Sequence, residues 1–220
     1  LLDRSIATEG YVIREGSDSY GNEGLVDLSQ IDFDGLRARF EAGQRRIEAE
    51  KLRGAVSTNL AEMIRLNPYR IDYLERFQQL IDEYNSGSVN LEEYFRRLSE
   101  LAQSLGQEQQ RHIAENLTEE ELALFDLLMK PAPDLSQKEQ QQVKKVARDL
   151  LAKLNNELLV LDWKKRQQTR AAVRLSIETL LEQLPETYTK DIFDEKCEAA
   201  YQHFYEKYPG AGRSVYTSAA

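Results

Sequence analysis

Residues 136–184, "SQKEQQQVKKVARDLLAKLNNELLVLDWKKRQQTRAAVRLSIETLLEQL", run nearly free of helix breakers. Val143, Val146, Leu150, Leu154, Leu158 and Leu161 recur at spacings of three and four. Val173, Ile177, Leu180, Leu181 and Leu184 do so again before Pro185 stops the pattern. That spacing stacks apolar side chains on one face of an α-helix. A single helix of about 45 residues would reach ~70 Å at 1.5 Å per residue. Two helices meeting near Asn155-Asn156 or Trp163 satisfy the pattern equally.

The same periodicity governs the chain from about Asp34. Leu36, Phe40, Ile47, Ala55, Leu60, Met63 and Ile64 form one stripe, in which Gly43 and Gly54 are positions to bend or break. Asn67-Pro68 ends it, because a residue before Pro is pushed out of the helical region. Ile71, Leu74, Phe77, Leu80, Ile81 and Tyr84 form the next stripe. "YNSGS" (84–88) then reads as punctuation between helices, with Asn90 as the next N-cap. Thr118 stands three residues before Glu121, and Ser136 three before Glu139; both match the reciprocal Ser/Thr-x-x-Glu cap. Tyr188 to Tyr208 reads as a last helix with Ile192, Phe193, Cys197, Ala200, Tyr201 and Phe204 on its core face. The expectation is an all-α, irregular bundle of about seven or eight helices. Residues 31–208 form one helical domain in this reading, and 209–220 a flexible tail.

Residues 1–30 differ. They hold four of the 11 glycines, and "GYVIRE" has the character of a short strand. This reads as an irregular, partly extended lead-in or linker from a preceding domain. The chain starts at Leu1 rather than Met, which suggests a piece of a longer protein. One cysteine, Cys197, the absence of a basic-then-apolar signal segment and the lack of any apolar run of membrane length make a cytoplasmic setting the expectation.

Chemistry is harder to find. His112 and His203 lie far apart, with no second His or Cys at metal-ligand spacing. His203 and Cys197 read as packed side chains. Adjacent acids such as Glu119-Glu120-Glu121 point in different directions on a helix and suit its N-terminus. "PDLSQKEQ" and Asp194-Glu195-Lys196 share pieces with a metal-dependent nuclease signature, but about 60 residues of helical sequence separate them. No Gly-x-x-x-x-Gly-Lys-Ser/Thr loop is present, so ATP is not bound by a P-loop. We expect no catalytic, cofactor-binding or metal-binding residues in this chain.

Charge distribution says more. The chain carries a net −9, unlike a nucleic-acid binder, yet Lys138 to Arg174 holds 10 basic residues against 4 acidic ones. Trp163, the only Trp, precedes Lys164, Lys165 and Arg166; Arg166, Arg170 and Arg174 recur every four residues, one face of a helix. These six residues are the candidate partner-binding surface, for an acidic protein partner or for duplex DNA backbone. The plainer alternative is a solvated stripe with Trp163 in the core.

Four strings carry a family likeness: "NPYRIDYLERFQQLIDEYNSG", "LTEEELALFDLL", "ELLVLDWKKRQQTRAAVRLSIETLLEQLP" and "YEKYPGAGRSVY". In this order they resemble the C-terminal helical region of the restriction (motor) subunit of type I restriction-modification enzymes. The likeness runs from about Leu25 to the end. It implies a parent subunit with a nuclease domain and two helicase-type ATPase domains, using ATP and Mg, that translocates and cuts DNA. It implies for this chain a helical assembly role: docking the motor to the methyltransferase and specificity subunits, beside the rest of its own subunit. The alternatives are an element that tracks duplex DNA, a brace for the motor or, last, an independent helical enzyme.

Overall fold

The structure, a computed structural model, describes residues 28, 31–131, 134–159, 162–210 and 213–216. The described residues are all-α. Helices α1 (Phe33–Arg39), α2 (Arg45–Leu66), α3 (Ile71–Asn85) and α4 (Leu91–Ala114) come first. They are followed by α5 (Glu119–Met129), α6 (Gln137–Glu157), α7 (Gln167–Leu181) and α8 (Lys190–Lys207). The expected strand at "GYVIRE" lies outside the described residues.

Residues 31–208, read above as one domain, contain most of two compact units. Among the described residues, the first holds those up to Arg65 and Arg70–Arg111; the second holds Leu66–Tyr69 and those from His112 on.

In the first unit Asp32 caps α1, its carboxylate accepting from the Gly35 N–H at 2.9 Å. A kink at Phe40–Gln44 joins α1 to α2, and Gly43 sits there at φ 108°, which favours glycine. Gly54 interrupts nothing; α2 runs through it. The core gathers Leu28, Leu36, Leu52, Val56, Leu60, Leu98 and Leu105 around a stacked Phe40–Phe95 pair with centroids 4.0 Å apart. Ile47 departs from its expected place and is 57% exposed. It lies five residues from Leu52, about 140° round the helix. The turn after α3 is the punctuation that its residues suggest. Gly87, at φ 75°, donates to the Tyr84 carbonyl (3.1 Å), and Ser88 donates to the Glu83 carbonyl (3.0 Å), the Schellman arrangement. Asn90 then caps α4 through the Glu93 N–H at 2.9 Å.

In the second unit α5 packs on α6 and α8, α6 on α7, and α7 on α8. Both reciprocal caps form. Thr118 and Glu121 close the start of α5, and Ser136 and Glu139 that of α6. The 136–184 run is two helices, not one. α6 ends at Glu157, Asp162 takes a left-handed backbone (φ 60°), and a 3-10 turn, Trp163–Lys165, leads into α7. The core gathers Leu122, Leu128, Val143, Leu150, Leu154, Trp163, Val173, Ile177, Leu181, Phe204 and Tyr208.

Within the expected tail, residues 213–216 make defined contacts. The Val215 N–H donates to the Lys207 carbonyl (3.1 Å), and the Tyr216 hydroxyl donates to the Leu66 carbonyl (2.8 Å). The Tyr216 ring lies 6.3 Å from that of Tyr208, so an aromatic contact holds the segment.

Candidate functional site

The candidate surface is built on the turn between α6 and α7. Arg170, one turn into α7, donates to the Lys164 carbonyl at 2.6 Å and ties that turn to the helix. Trp163 corrects the sequence reading. It is fully buried, its indole N–H donates to the Tyr208 carbonyl at 3.0 Å, and it is a core anchor rather than a contact residue. The plainer alternative holds for this residue.

Lys164 folds back over aromatic rings. Its Nζ lies 5.1 Å from the Tyr205 centroid and 5.9 Å from that of Trp163. Burial pulls its pKa below the usual lysine value, and Glu206 opposes that shift. Lys165 pairs with Asp162 at 2.9 Å. Arg166 is exposed on extended backbone (φ −97°, ψ 119°) before α7 begins. It therefore does not share a helical face with Arg170 and Arg174, a second correction. Arg174 lies 3.7 Å above the Tyr201 ring and pairs with Glu198 at 2.6 Å, so its own pKa is raised and that of Glu198 lowered.

The rest of the basic run is largely closed by acids. Lys144 pairs with Glu115, Lys145 with Asp149, and Lys153 with Glu157. Arg148 lies 3.8 Å from Glu121 and also donates to the Asn116 carbonyl. A count along the chain thus overstates the positive charge on the surface. Glu115, Glu121 and Glu198 come from outside the run.

Two tyrosines, Tyr201 and Tyr205 on α8, complete the surface. Tyr201 reads as a core residue from sequence and is buried; Tyr205 was missed and is 40% exposed. Their i, i+4 spacing was visible, but which cations they meet depends on how α7 and α8 pack.

The other chemistry-bearing residues are structural. His203 is buried beside Phe204, Tyr208 and Tyr216, and desolvation with Lys207 nearby pushes its pKa down to about 3. It is neutral and belongs to the core. Cys197 is half-buried; burial, Glu178 and Asp194 push its thiol up to about 12, so it stays protonated. Lys196 is buried, and its Nζ donates to the Lys130 carbonyl at 3.0 Å. Ser136 and Glu139 form a helix cap. Ser136, Glu139 and Lys196, residues of the nuclease-like pieces, thus make structural contacts. Among the described residues no group of three His, Cys, Asp or Glu side chains is placed to hold a metal ion, and no helix is long and apolar enough to cross a membrane.

The all-α fold and the basic turn now stand beside what the chain resembles. Residues 1–207 match the family model described as "Type I restriction enzyme HindI endonuclease subunit-like, C-terminal", and the chain belongs to that family. It is similar to a Methanocaldococcus jannaschii protein named "Putative type I restriction enzyme MjaIXP endonuclease subunit". The two are 27% identical over 116 residues, 52% of this chain and 11% of that relative. The match thus spans about a tenth of the relative's length. No solved structure matches.

Proposed function

We propose that this chain is the helical assembly region of a type I restriction endonuclease subunit, docking an ATP-dependent DNA translocase and nuclease to its methyltransferase–specificity core. In this reading the chain does no chemistry itself. ATP and Mg bind elsewhere in the parent subunit, a site-specific deoxyribonuclease working in the cytoplasm. The observation that carries the docking role is the surface where α7 meets α8. Tyr205 is 40% exposed there, edge-on to buried Trp163 (6.0 Å, 82°) and covered by the Lys164 ammonium. Tyrosine and arginine anchors set on a rigid base are the residue types that dominate protein interfaces. A duplex-tracking role is less favoured, because acids already close much of the basic run, and contact with phosphates needs open cations.

Co-elution tests this. The purified chain is mixed with the methyltransferase–specificity core, without DNA, and resolved by size-exclusion chromatography with light scattering. We expect one complex containing both. Separate elution, repeated with the intact endonuclease subunit and with that subunit lacking this chain binding equally well, would overturn the docking reading.

A further inference from the structure

Six cations of the basic run are drawn toward acids: Lys144, Lys145, Arg148, Lys153, Lys165 and Arg174. Of the other four, Lys138 lies at the start of α6, and three lie within seven residues of one another. Lys164 and Arg166 make no ion pair among the described residues, and Arg170 spends one N–H on a backbone carbonyl. Tyr205 provides an aromatic floor beneath the Lys164 ammonium. Asp162, bound to Lys165, and Glu206, which acts on Lys164 through space, are the acids acting on this turn.

We infer that the Lys164–Arg170 turn, with Tyr205 as its floor, receives a carboxylate-bearing acidic segment of a protein partner; this rests on the docking reading above. Charge complementarity chooses the occupant. The turn concentrates unpaired positive charge in a chain of net charge −9. An arginine fork and a neighbouring ammonium suit a carboxylate, and the guanidinium can bind it through two parallel hydrogen bonds. Duplex DNA fits poorly. Sequence-independent grip on duplex comes from Lys and Arg neutralising phosphates, and three cations flanked by Asp162 and Glu206 offer little of it. An acidic peptide needs only one or two carboxylates to engage the turn, and its apolar neighbours can cover Tyr205.

The test uses the full-length endonuclease subunit and the assembled methyltransferase–specificity core. Affinity is measured by fluorescence anisotropy for wild type, a subunit lacking this chain, Lys164→Glu/Arg166→Glu, Arg166→Glu alone and a control, Lys145→Glu/Lys153→Glu. Circular dichroism checks folding, and Arg166→Glu keeps the test valid if the half-buried Lys164 change disturbs the turn. We expect the double reversal to weaken binding at least tenfold, Arg166→Glu several-fold, and the control less than twofold. A photo-crosslinking phenylalanine analogue at position 205 should capture an acid-rich peptide of the core, identified by mass spectrometry. If removing the chain abolishes binding while both reversals leave it within twofold, docking stands and this turn is not its site. If removing the chain leaves binding intact, the docking reading falls and the inference with it. If the reversals weaken duplex DNA binding but not core binding, the turn is a phosphate contact and the inference is overturned.

Discussion

The two compact units pair many of their buried polar groups in different ways. The first sets charge against charge. Arg70 and Glu108 are both buried and meet at 3.0 Å, with Arg111 also 3.0 Å from Glu108. Glu48, fully buried, holds Arg39 at 3.2 Å and Lys51 at 3.3 Å. The second unit has side-chain pairs as well, Lys144 with Glu115 and Asn67 donating to Asp126 at 2.7 Å, but it adds side-chain donors set against backbone carbonyls at helix C-terminal ends. Trp163 bonds the Tyr208 carbonyl after α8; Tyr188 and Lys196 bond those of Leu128 and Lys130 at the end of α5; Tyr216 bonds that of Leu66, the last residue of α2. The last carbonyls of a helix have no partner within it, so each of these bonds satisfies two groups at once. An ammonium there also complements the helix dipole. The first arrangement is sensitive to loss of either charge. The second is sensitive to the shape and reach of single side chains.

The largest expected effect tests the first unit. Glu108→Ala leaves the Arg70 guanidinium buried without its main carboxylate and should cost about 3–5 kcal/mol. Denaturant unfolding measures it. A cost under 1 kcal/mol would mean that the ion pair is not what holds the first unit's buried charge.

The next effect separates the units by pH. His203, in the second unit, has a folded pKa of about 3, far below the usual histidine value. The unfolded chain therefore binds the extra proton first as pH falls. The stability that neutral His203 contributes is complete above about pH 6.5 and is lost progressively toward pH 3, with a slope of at most about 1.4 kcal/mol per pH unit. His203→Gln should flatten that part of the stability profile. An unchanged slope in the variant would show that carboxylates alone set the acid limit.

A smaller effect probes the carbonyl-capping scheme. Trp163→Phe keeps an aromatic ring but strands the Tyr208 carbonyl and should cost about 1–3 kcal/mol. Hydrogen exchange should show loosening at the end of α8 as well as at the start of α7. Exchange rising around Trp163 alone would break the link. The smallest effect compares caps. Ser136→Ala removes a reciprocal cap and Asn90→Ala a one-way cap; each should cost about 1 kcal/mol, with Ser136→Ala the larger, as thermal unfolding can rank.

Local rules were legible residue by residue. Thr118/Glu121, Ser136/Glu139 and Asn90 cap the helices they announce, and Asn67-Pro68 ends α2, because capping and proline sterics act within one turn of chain. The candidate surface was only partly legible. Lys164 to Arg174 stood out by composition, but Trp163 turned inward and Arg166 left the helical face.

What the sequence determined by itself was helix: its starts, its stops, its apolar stripes and a family likeness that residues 1–207 bear out. Two possible breaks between α6 and α7 were both consistent with periodicity, and packing of Trp163 into the core accompanies the turn at Trp163–Lys165. Tertiary structure alone decided which charges remain open. Arg174 is closed by Glu198, 24 residues on, and Lys144 by Glu115, 29 residues back. Tyr205 acquired its cation from another element. The reason is range. Caps and periodicity are settled by neighbours a few residues away, whereas surface charge and exposure are set by whichever distant helix comes to lie alongside.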